Sequence, residues 1–262
     1  MTQQQKSKAA EGVGTTLNIL DTLVSQSERA WGVRELAEYL GLSRTTTNRV
    51  LSQLCEEGLA RQTSDSSYTV GPRLCVLSSM LFSSHPVLSR GAEVLDTIRQ
   101  QVGGTVFMSV QAIDGQRCFV VQESETETPV RYRIEPGNIL PTYAGAAGQA
   151  ILSQLDEACW PDQVRTFTDK TLTVSEQRND RLRQVRQQQF SVSVGQHIVG
   201  AAGIAVPFRF SPALLGSVSA SRPEWEFKEE IVPKVVSVLK KELGALEAAA
   251  AIAYQKAGEE NL

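Results

Sequence analysis

The fold of the N-terminal part is decided by residues 33–60, VRELAEYLGLSRTTTNRVLSQLCEEGLA. The first eight of these residues carry apolar side chains at helical spacing, and Gly41 supplies the left-handed residue that ends a helix. Ser43 then offers an N-cap hydroxyl to a second helix, which continues to Glu57. Two short helices joined by a glycine turn predict a helix-turn-helix.

The segments on either side complete a winged helix-turn-helix. Upstream, apolar residues at helical spacing from Leu17 predict a helix that ends near Val24. Downstream, residues 59–62 and 67–70 alternate in the manner of strands and are joined by the polar tip of residues 63–66. A hairpin at this position is the expected wing.

The second helix of the motif has two different faces. Its buried stripe is formed by Thr47, Val50, Leu51 and Leu54, and the opposite face carries donors and acceptors that can reach base edges and phosphates. The candidate DNA-contacting residues are Ser43, Arg44, Thr45, Asn48, Arg49 and Ser52. Such a face also fits an ordinary solvated helix, but the glycine turn and the hairpin favour binding of double-stranded DNA.

Composition limits the class of protein. The chain has 262 residues, 41% hydrophobic and 21% charged, with a formal net charge of -3, which is typical of a soluble globular protein of two domains. A slightly acidic chain argues against coating of nucleic acid without sequence preference. No apolar run is long enough to span a membrane, and the first ten residues lack the apolar core of a signal peptide. We therefore expect a cytoplasmic protein that does not enter the membrane.

The sequence after the wing predicts an α+β fold. Gly71 and Pro72 interrupt the chain, and helical stretches follow over residues 73–84 and 87–102. Strands are predicted at residues 105–113, 118–122, 130–134, 190–194, 203–210 and 214–220, and helices at residues 146–155, 175–189 and 226–254. Strands interspersed with helices in this way indicate an α+β domain.

Several ordered motifs resemble the IclR-type transcriptional regulators. They are TTLNILDTL, the stretch quoted above and YTVGPRL in the N-terminal part, and GNILPTYAGAAGQAIL, FSVSVGQHIVGAAGIAVPF and GSVSASRP in the C-terminal part. The resemblance covers nearly the whole chain. It implies a winged helix-turn-helix domain over residues 10–72, a linker helix over residues 73–86, and a GAF-like or profilin-like effector-binding domain over residues 87–255.

The resemblance also implies where a small-molecule effector binds. In the family, the loop before the helix that matches residues 146–155 supplies backbone N–H groups to an effector carboxylate, which suits the unpaired donors of a helix N-terminus. The matching pocket positions are Ala146, Ala147, Ser193, Gly203, Ser219 and Ser221. An acidic residue is common at the position of Ser193, a cysteine near that of Gly203 and a lysine at that of Gln149. These departures leave the identity of the effector open, and each serine also fits a hydroxyl bonded to nearby backbone.

Other side chains are weaker pocket candidates. Phe107, Met108, Tyr143 and Phe208 can line a pocket but also fit a plain core, and a lone histidine such as His197 is more often at the surface or paired. Arg131 and Arg133 alternate along a predicted strand, which favours a solvated or interface face over a carboxylate clamp.

Two other function classes stay open as alternatives. An enzyme fused to a DNA-binding module is disfavoured because the chain lacks a G-x-S-x-G elbow, a Walker A loop and a G-x-G-x-x-G fingerprint. A purely oligomerising C-terminal domain is disfavoured by the serines and small residues around the expected pocket.

The four scattered cysteines, without a C-x-x-C pair, predict no metal site, and we expect no cofactor. A winged helix contacts only a half-site, so we expect a homodimer or a dimer of dimers whose linker helices join the DNA-binding modules.

Overall fold

The structure of the protein is a computed structural model that describes residues 3–84, 86–112, 115–124, 134–211 and 214–259. The chain divides into two compact units, the first ending at Phe82 and the second beginning at Ser83. This division lies inside the segment predicted as the linker helix, and the finer domain limits stay a prediction. Among the described helices, none is both long and apolar enough to cross a bilayer.

The first unit is a helix-turn-helix followed by an antiparallel hairpin. Its elements are α1 (Gln3–Ser25), α2 (Val33–Leu40), α3 (Arg44–Glu56), β1 (Ala60–Gln62), β2 (Tyr68–Val70) and α4 (Pro72–Ser84). β1 pairs with β2 in antiparallel register, so the predicted wing is confirmed. α1 begins well before the apolar pattern that predicted it, because residues 3–11 are rich in Gln, Lys and Ala, which favour helix without burial.

Local signals set the turn between α2 and α3. Gly41 adopts φ 65°, the left-handed conformation that favours glycine, and its N–H donates to the carbonyls of α2. The Ser43 hydroxyl accepts from the Thr46 N–H at 3.1 Å and so caps α3. A common core then holds the three helices and the hairpin together; it contains Ile19, Leu23, Trp31, Leu36, Val50, Leu51, Leu54, Ala60 and Tyr68.

The second unit is built on one antiparallel sheet. Its elements are α5 (Pro86–Val102), β3 (Thr105–Gln111), β4 (Arg117–Ser124), β5 (Ile139–Pro141), α6 (Ala146–Leu152), α7 (Ser175–Gln188), β6 (Ser191–Val194), β7 (Ala201–Ser211), β8 (Leu214–Pro223) and α8 (Val232–Glu259). The described strands run in the order β5-β4-β3-β8-β7-β6. The α+β fold predicted for this part is confirmed.

The two faces of the sheet differ in chemistry. One face is apolar and packs against α5 and α8, with Val106, Met108 and Val218 among its fully buried side chains and Leu239 of α8 packed against it. The other face packs against α6 and carries small and polar residues. We call this the serine face; it comprises Ser109, Ser191, Ser193, Gly203, Ala205, Ser217, Ser219 and Ser221.

Some predicted boundaries are wrong. The helix expected over residues 146–155 ends at Leu152. The Leu152 carbonyl accepts from the Trp160 indole N–H at 2.9 Å, so it has an acceptor role without the N–H group that a further helical turn would supply. The last helix begins at Val232, because Pro233 favours a helix N-terminus and the preceding residues form single 3-10 turns. The predicted strand at residues 130–134 lies almost wholly outside the described residues, as do Arg131 and Arg133.

We expect Gly148→Ala to destabilise the second unit. A Cβ on Gly148 would lie 2.0 Å from the Pro141 carbonyl oxygen and 2.6 Å from the Thr142 Cα, so α6 would have to move off β5. Overpacking of this kind costs about 1–3 kcal/mol. The matched control is Gly244→Ala in α8, where a Cβ would meet nothing within 4 Å beyond the adjacent backbone of its own helix and the change should stabilise by about 0.5–1 kcal/mol. Urea unfolding of both variants checks the prediction, and equal effects would contradict it.

Candidate functional site

The polar face of α3 is exposed as a whole. Thr47, Val50, Leu51 and Leu54 are buried, which fixes the rotation of the helix about its axis. The opposite side is therefore presented to solvent. The exposed residues include all of the predicted DNA-contacting set, Ser43, Arg44, Thr45, Asn48, Arg49 and Ser52.

Gln53 is an exposed neighbour that the sequence pattern did not single out. The Arg49 guanidinium donates to Gln53 Oε1 at 3.2 Å, one helical turn further along α3. Residues four apart on a helix lie side by side, so the i, i+4 spacing of Arg49 and Gln53 could have predicted this contact from the sequence. The contact holds Arg49 along the exposed face.

The second unit contains a cavity of about 130 Å³ between α6 and the serine face. It is closed on one side by the loop that follows β6. The described residues that line it are Phe107, Ile134, Asn138, Leu140, residues 144–148, Ser193, residues 196–198, Ala201, Ala202, Gly203 and Ser221. The lining is mostly apolar with a few convergent polar groups, as is typical of small-molecule sites.

Small residues keep this space open. A Cβ on Gly203 would lie 3.3 Å from Ser221 Oγ and 3.4 Å from Ala146 Cβ, so a larger side chain would enter the cavity. Gly145, with φ 82°, turns the chain directly into α6. The N–H groups of the first turn of a helix have no intrahelical acceptors, so Ala146 and Ala147 present donors at the cavity.

Five of the six predicted pocket residues line the cavity: Ala146, Ala147, Ser193, Gly203 and Ser221. Ser219 does not. It lies two residues along β8 from Ser221, between Phe107 and Ala205 on the neighbouring strands, and is 1% exposed. Its hydroxyl has no hydrogen-bond partner among the described residues.

The weaker pocket candidates lie in different places, and only some of them are on the face of the sheet that borders the cavity. Phe107 lines the cavity, whereas Met108 and Phe208 belong to the apolar core under α5 and α8. Tyr143 lies outside the cavity in a neighbouring groove, where its ring stacks on Phe167 at 5.8 Å. His197 lines both spaces, and its pKa is lowered by burial, so it is neutral at physiological pH.

Sequence patterns missed the polar group at the closing loop. Gln196 lines the cavity, and Gln149 of α6 donates to Gln196 Oε1 at 2.6 Å. The carbonyls of Gly195 and Gln196 accept from the buried hydroxyls of Thr168 and Thr171 at 2.6 and 2.8 Å. These residues are far apart in the chain and follow no local pattern, so no signal in the sequence pointed to their meeting.

The described residues contain no cluster of three or more His, Cys, Asp or Glu side chains that could hold a metal ion. The four cysteines are unpaired, and burial raises the pKa of the Cys118 thiol to about 12. No Asp or Glu is among the described residues that line the cavity. The polar part of the lining is thus neutral, with hydroxyl, amide, imidazole and backbone groups.

Family models match most of the chain. The IclR helix-turn-helix domain matches residues 14–64, and the model described as bacterial transcriptional regulator IclR C-terminal matches residues 80–247. Known relatives include the acetate operon repressor of Salmonella typhimurium, 26% identical over 70% of this chain and 69% of that protein. The p-hydroxybenzoate hydroxylase transcriptional activator of Acinetobacter baylyi is 27% identical over 75% of this chain and 74% of that protein.

Solved structures show the same fold. An IclR transcriptional regulator from Alicyclobacillus acidocaldarius matches with a TM-score of 0.78 and 24% identity, over 92% of this chain and 98% of that one. An IclR homolog from Microbacterium hydrocarbonoxydans, solved in complex with 4-hydroxybenzoate, matches with a TM-score of 0.73 and 18% identity, over 90% and 99%. Together with the family models, these matches show that the chain belongs to the IclR family of DNA-binding transcriptional regulators.

Proposed function

We propose that this regulator binds its operator through the exposed face of α3 and that a small organic acid, bound in the α6 cavity, modulates the binding. The observation that carries the proposal is a cavity lined by neutral polar groups and free of carboxylates among its described residues, in a chain that also carries a winged helix-turn-helix. Relatives include both an operon repressor and a transcriptional activator, so either direction of control is compatible with this mechanism.

The DNA-contacting role of α3 is supported by its chemistry. Arg44 and Arg49 can bond to guanine or to phosphate, and Asn48 can pair with adenine. No acidic residue occurs on the helix before Glu56, so the exposed face does not repel the phosphate backbone. The N-cap at Ser43 fixes where the helix starts and hence how these side chains are directed.

The anionic character of the effector is supported by electrostatics. A carboxylate at the N–H groups of Ala146 and Ala147 would meet unpaired donors, and the hydroxyls of Ser193 and Ser221 can donate without adding charge. Ser219 lies deeper and would act on the effector through its neighbours. A cation would instead be favoured by acidic side chains, and the described lining contains none.

The size of the cavity supports a ligand with one ring or a short apolar body. A volume of about 130 Å³ is close to that of protein cavities that hold a single benzene molecule. Phe107, Leu140 and Ile198 provide apolar contacts for such a body. A related fold has been solved with 4-hydroxybenzoate bound, which is a ring carboxylate of this class.

A second copy of the chain is the proposed partner, in a homodimer or a dimer of dimers. α4 exposes Val76, Leu77 and Phe82, with relative exposures of 57, 41 and 49%. Apolar side chains on consecutive turns of one helix are typical of an interface. Effector binding would then shift the dimer between two arrangements of its DNA-binding modules, which requires different affinities for the effector in each.

Replacing Arg44 or Arg49 with Ala should weaken operator binding. The operator is selected from a random duplex library with the wild-type protein, and affinities are measured by fluorescence anisotropy. Loss of a base contact should cost about 1–3 kcal/mol and relax the preference at one base pair, whereas loss of a phosphate contact should weaken all sequences equally. Arg183→Ala on α7 is the matched control. If both α3 variants bind as the wild type does, the wrong face of the helix has been chosen.

Ala147→Asp should abolish effector binding and leave operator binding of the free protein intact, because a carboxylate at the cavity repels an anion. Binding of benzoate, 4-hydroxybenzoate, 3,4-dihydroxybenzoate and pyruvate is measured by calorimetry. Ala158→Asp, at an exposed position outside the cavity, is the control. Unchanged carboxylate binding by Ala147→Asp, or selective binding of cations, would refute the assignment.

Leu77→Glu should weaken self-association, because a charge in an apolar interface must be desolvated without a partner. Light scattering on the full chain should show a dimer or tetramer for the wild type and smaller species for the variant at the same concentration. Val174→Glu changes an apolar residue of the second unit that is somewhat more exposed, at 53%, and should have no effect. A wild-type protein that is monomeric both free and on its operator would overturn the proposed assembly.

A further inference from the structure

A buried amide pair connects α6 to the loop that closes the cavity. Gln149 is 1% exposed, and its Nε2 donates to Gln196 Oε1 at 2.6 Å and to the Tyr143 carbonyl at 3.4 Å. Its Oε1 accepts from the Ser191 hydroxyl at 3.1 Å. Both ends of the Gln149 amide are therefore engaged.

The network fixes which way each amide faces. A backbone carbonyl can only accept, so the NH₂ group of Gln149 must be directed toward Tyr143. The atom of Gln196 that meets this NH₂ group must then be its oxygen. The other end of the Gln196 amide is its NH₂ group, which has no hydrogen-bond partner among the described residues.

The main chain at Gln196 is also held. Thr171 donates to the Gln196 carbonyl, and Thr168 donates to the preceding carbonyl of Gly195. Both threonines are buried, at 8 and 7% exposure. The side chain thus loses little further freedom when it binds a ligand, which favours affinity.

We propose that Gln196 is a specificity-determining residue of the cavity and that Gln149 is its positioning residue. The pair presents the Gln196 NH₂ group to an acceptor oxygen of the effector, as a donor without charge. An effector that offered a donor at this point would leave two donors facing each other, and a site built around a hydrogen bond rejects such analogues strongly. The inference rests on the proposed effector role of the cavity and extends it to two residues that the family resemblance did not assign.

The test is a double-mutant cycle on effector affinity with Gln149→Met and Gln196→Met, two substitutions that keep the length of the side chain. The probe is the tightest binder among the four carboxylates named above. Each single variant should lose about tenfold in affinity, as expected for a hydrogen bond to a charged group. The double variant should lose no more than Gln196→Met alone, because Gln149 acts through Gln196.

Three further measurements complete the design. Gln154→Met, on the turn after α6 and outside the cavity lining, should bind as the wild type does. Gln196→Glu should lose more affinity than Gln196→Met, since it removes the donor and adds a negative charge. Thermal unfolding of every variant separates loss of fold from loss of binding, and Gln196→Glu still tests the donor if Gln149→Met fails to fold.

The outcomes separate this inference from the proposed function. Additive losses, about a hundredfold in the double variant, would overturn the positioning role of Gln149. Wild-type binding that survives in Gln196→Met and Gln196→Glu would overturn the donor role while the cavity remained an effector site. Failure of the wild type to bind any of the four carboxylates would contradict the proposed function, and this inference with it.

Discussion

The second unit depends on the close approach of a short helix to one face of a sheet. The Ser217 hydroxyl donates to the Ala147 carbonyl at 3.1 Å and lies 3.0 Å from that of Ser109, so α6 is bonded to the sheet through side chains of minimal size. Gly148 brings the same helix against β5. Because larger side chains would push α6 away, the serine face and the cavity beside it follow from one packing requirement.

The first unit follows a different principle. Its helices are ordered by signals that act within a few residues, the left-handed Gly41 and the Ser43 cap, and then by a core shared with the hairpin. The exposed face of α3 is determined by what the buried face requires. The stability of the DNA-binding module and the chemistry it offers to DNA are therefore carried by different residues of one helix.

Features that depend on residues close together in the chain could be predicted from the sequence, and features that join distant residues could not. Helix ends at Gly41 and Ser43 and strand alternation in β8 are local, and they predicted the winged helix-turn-helix and the α+β domain. The pairing of Gln149 with Gln196 joins positions 47 residues apart and has no local signal. The alternation of side chains along a strand also shows that Phe107 and Met108 lie on opposite faces of β3. It does not show which of the two faces borders the cavity. Ser219 and Ser221 share a face, and only the position of α6 decides which one lines the cavity.

The division of the sheet into an apolar face and a serine face has an evolutionary consequence. The side chains that supply most of the hydrophobic stabilisation, such as Met108 and Val218, lie on the side away from the cavity. Substitutions around the cavity that keep the contacts of α6 with the sheet can therefore accumulate while the main core is untouched and the protein stays above the stability it needs to fold. A lineage with this architecture can change the metabolite it responds to by a few substitutions around one helix, and keep its scaffold.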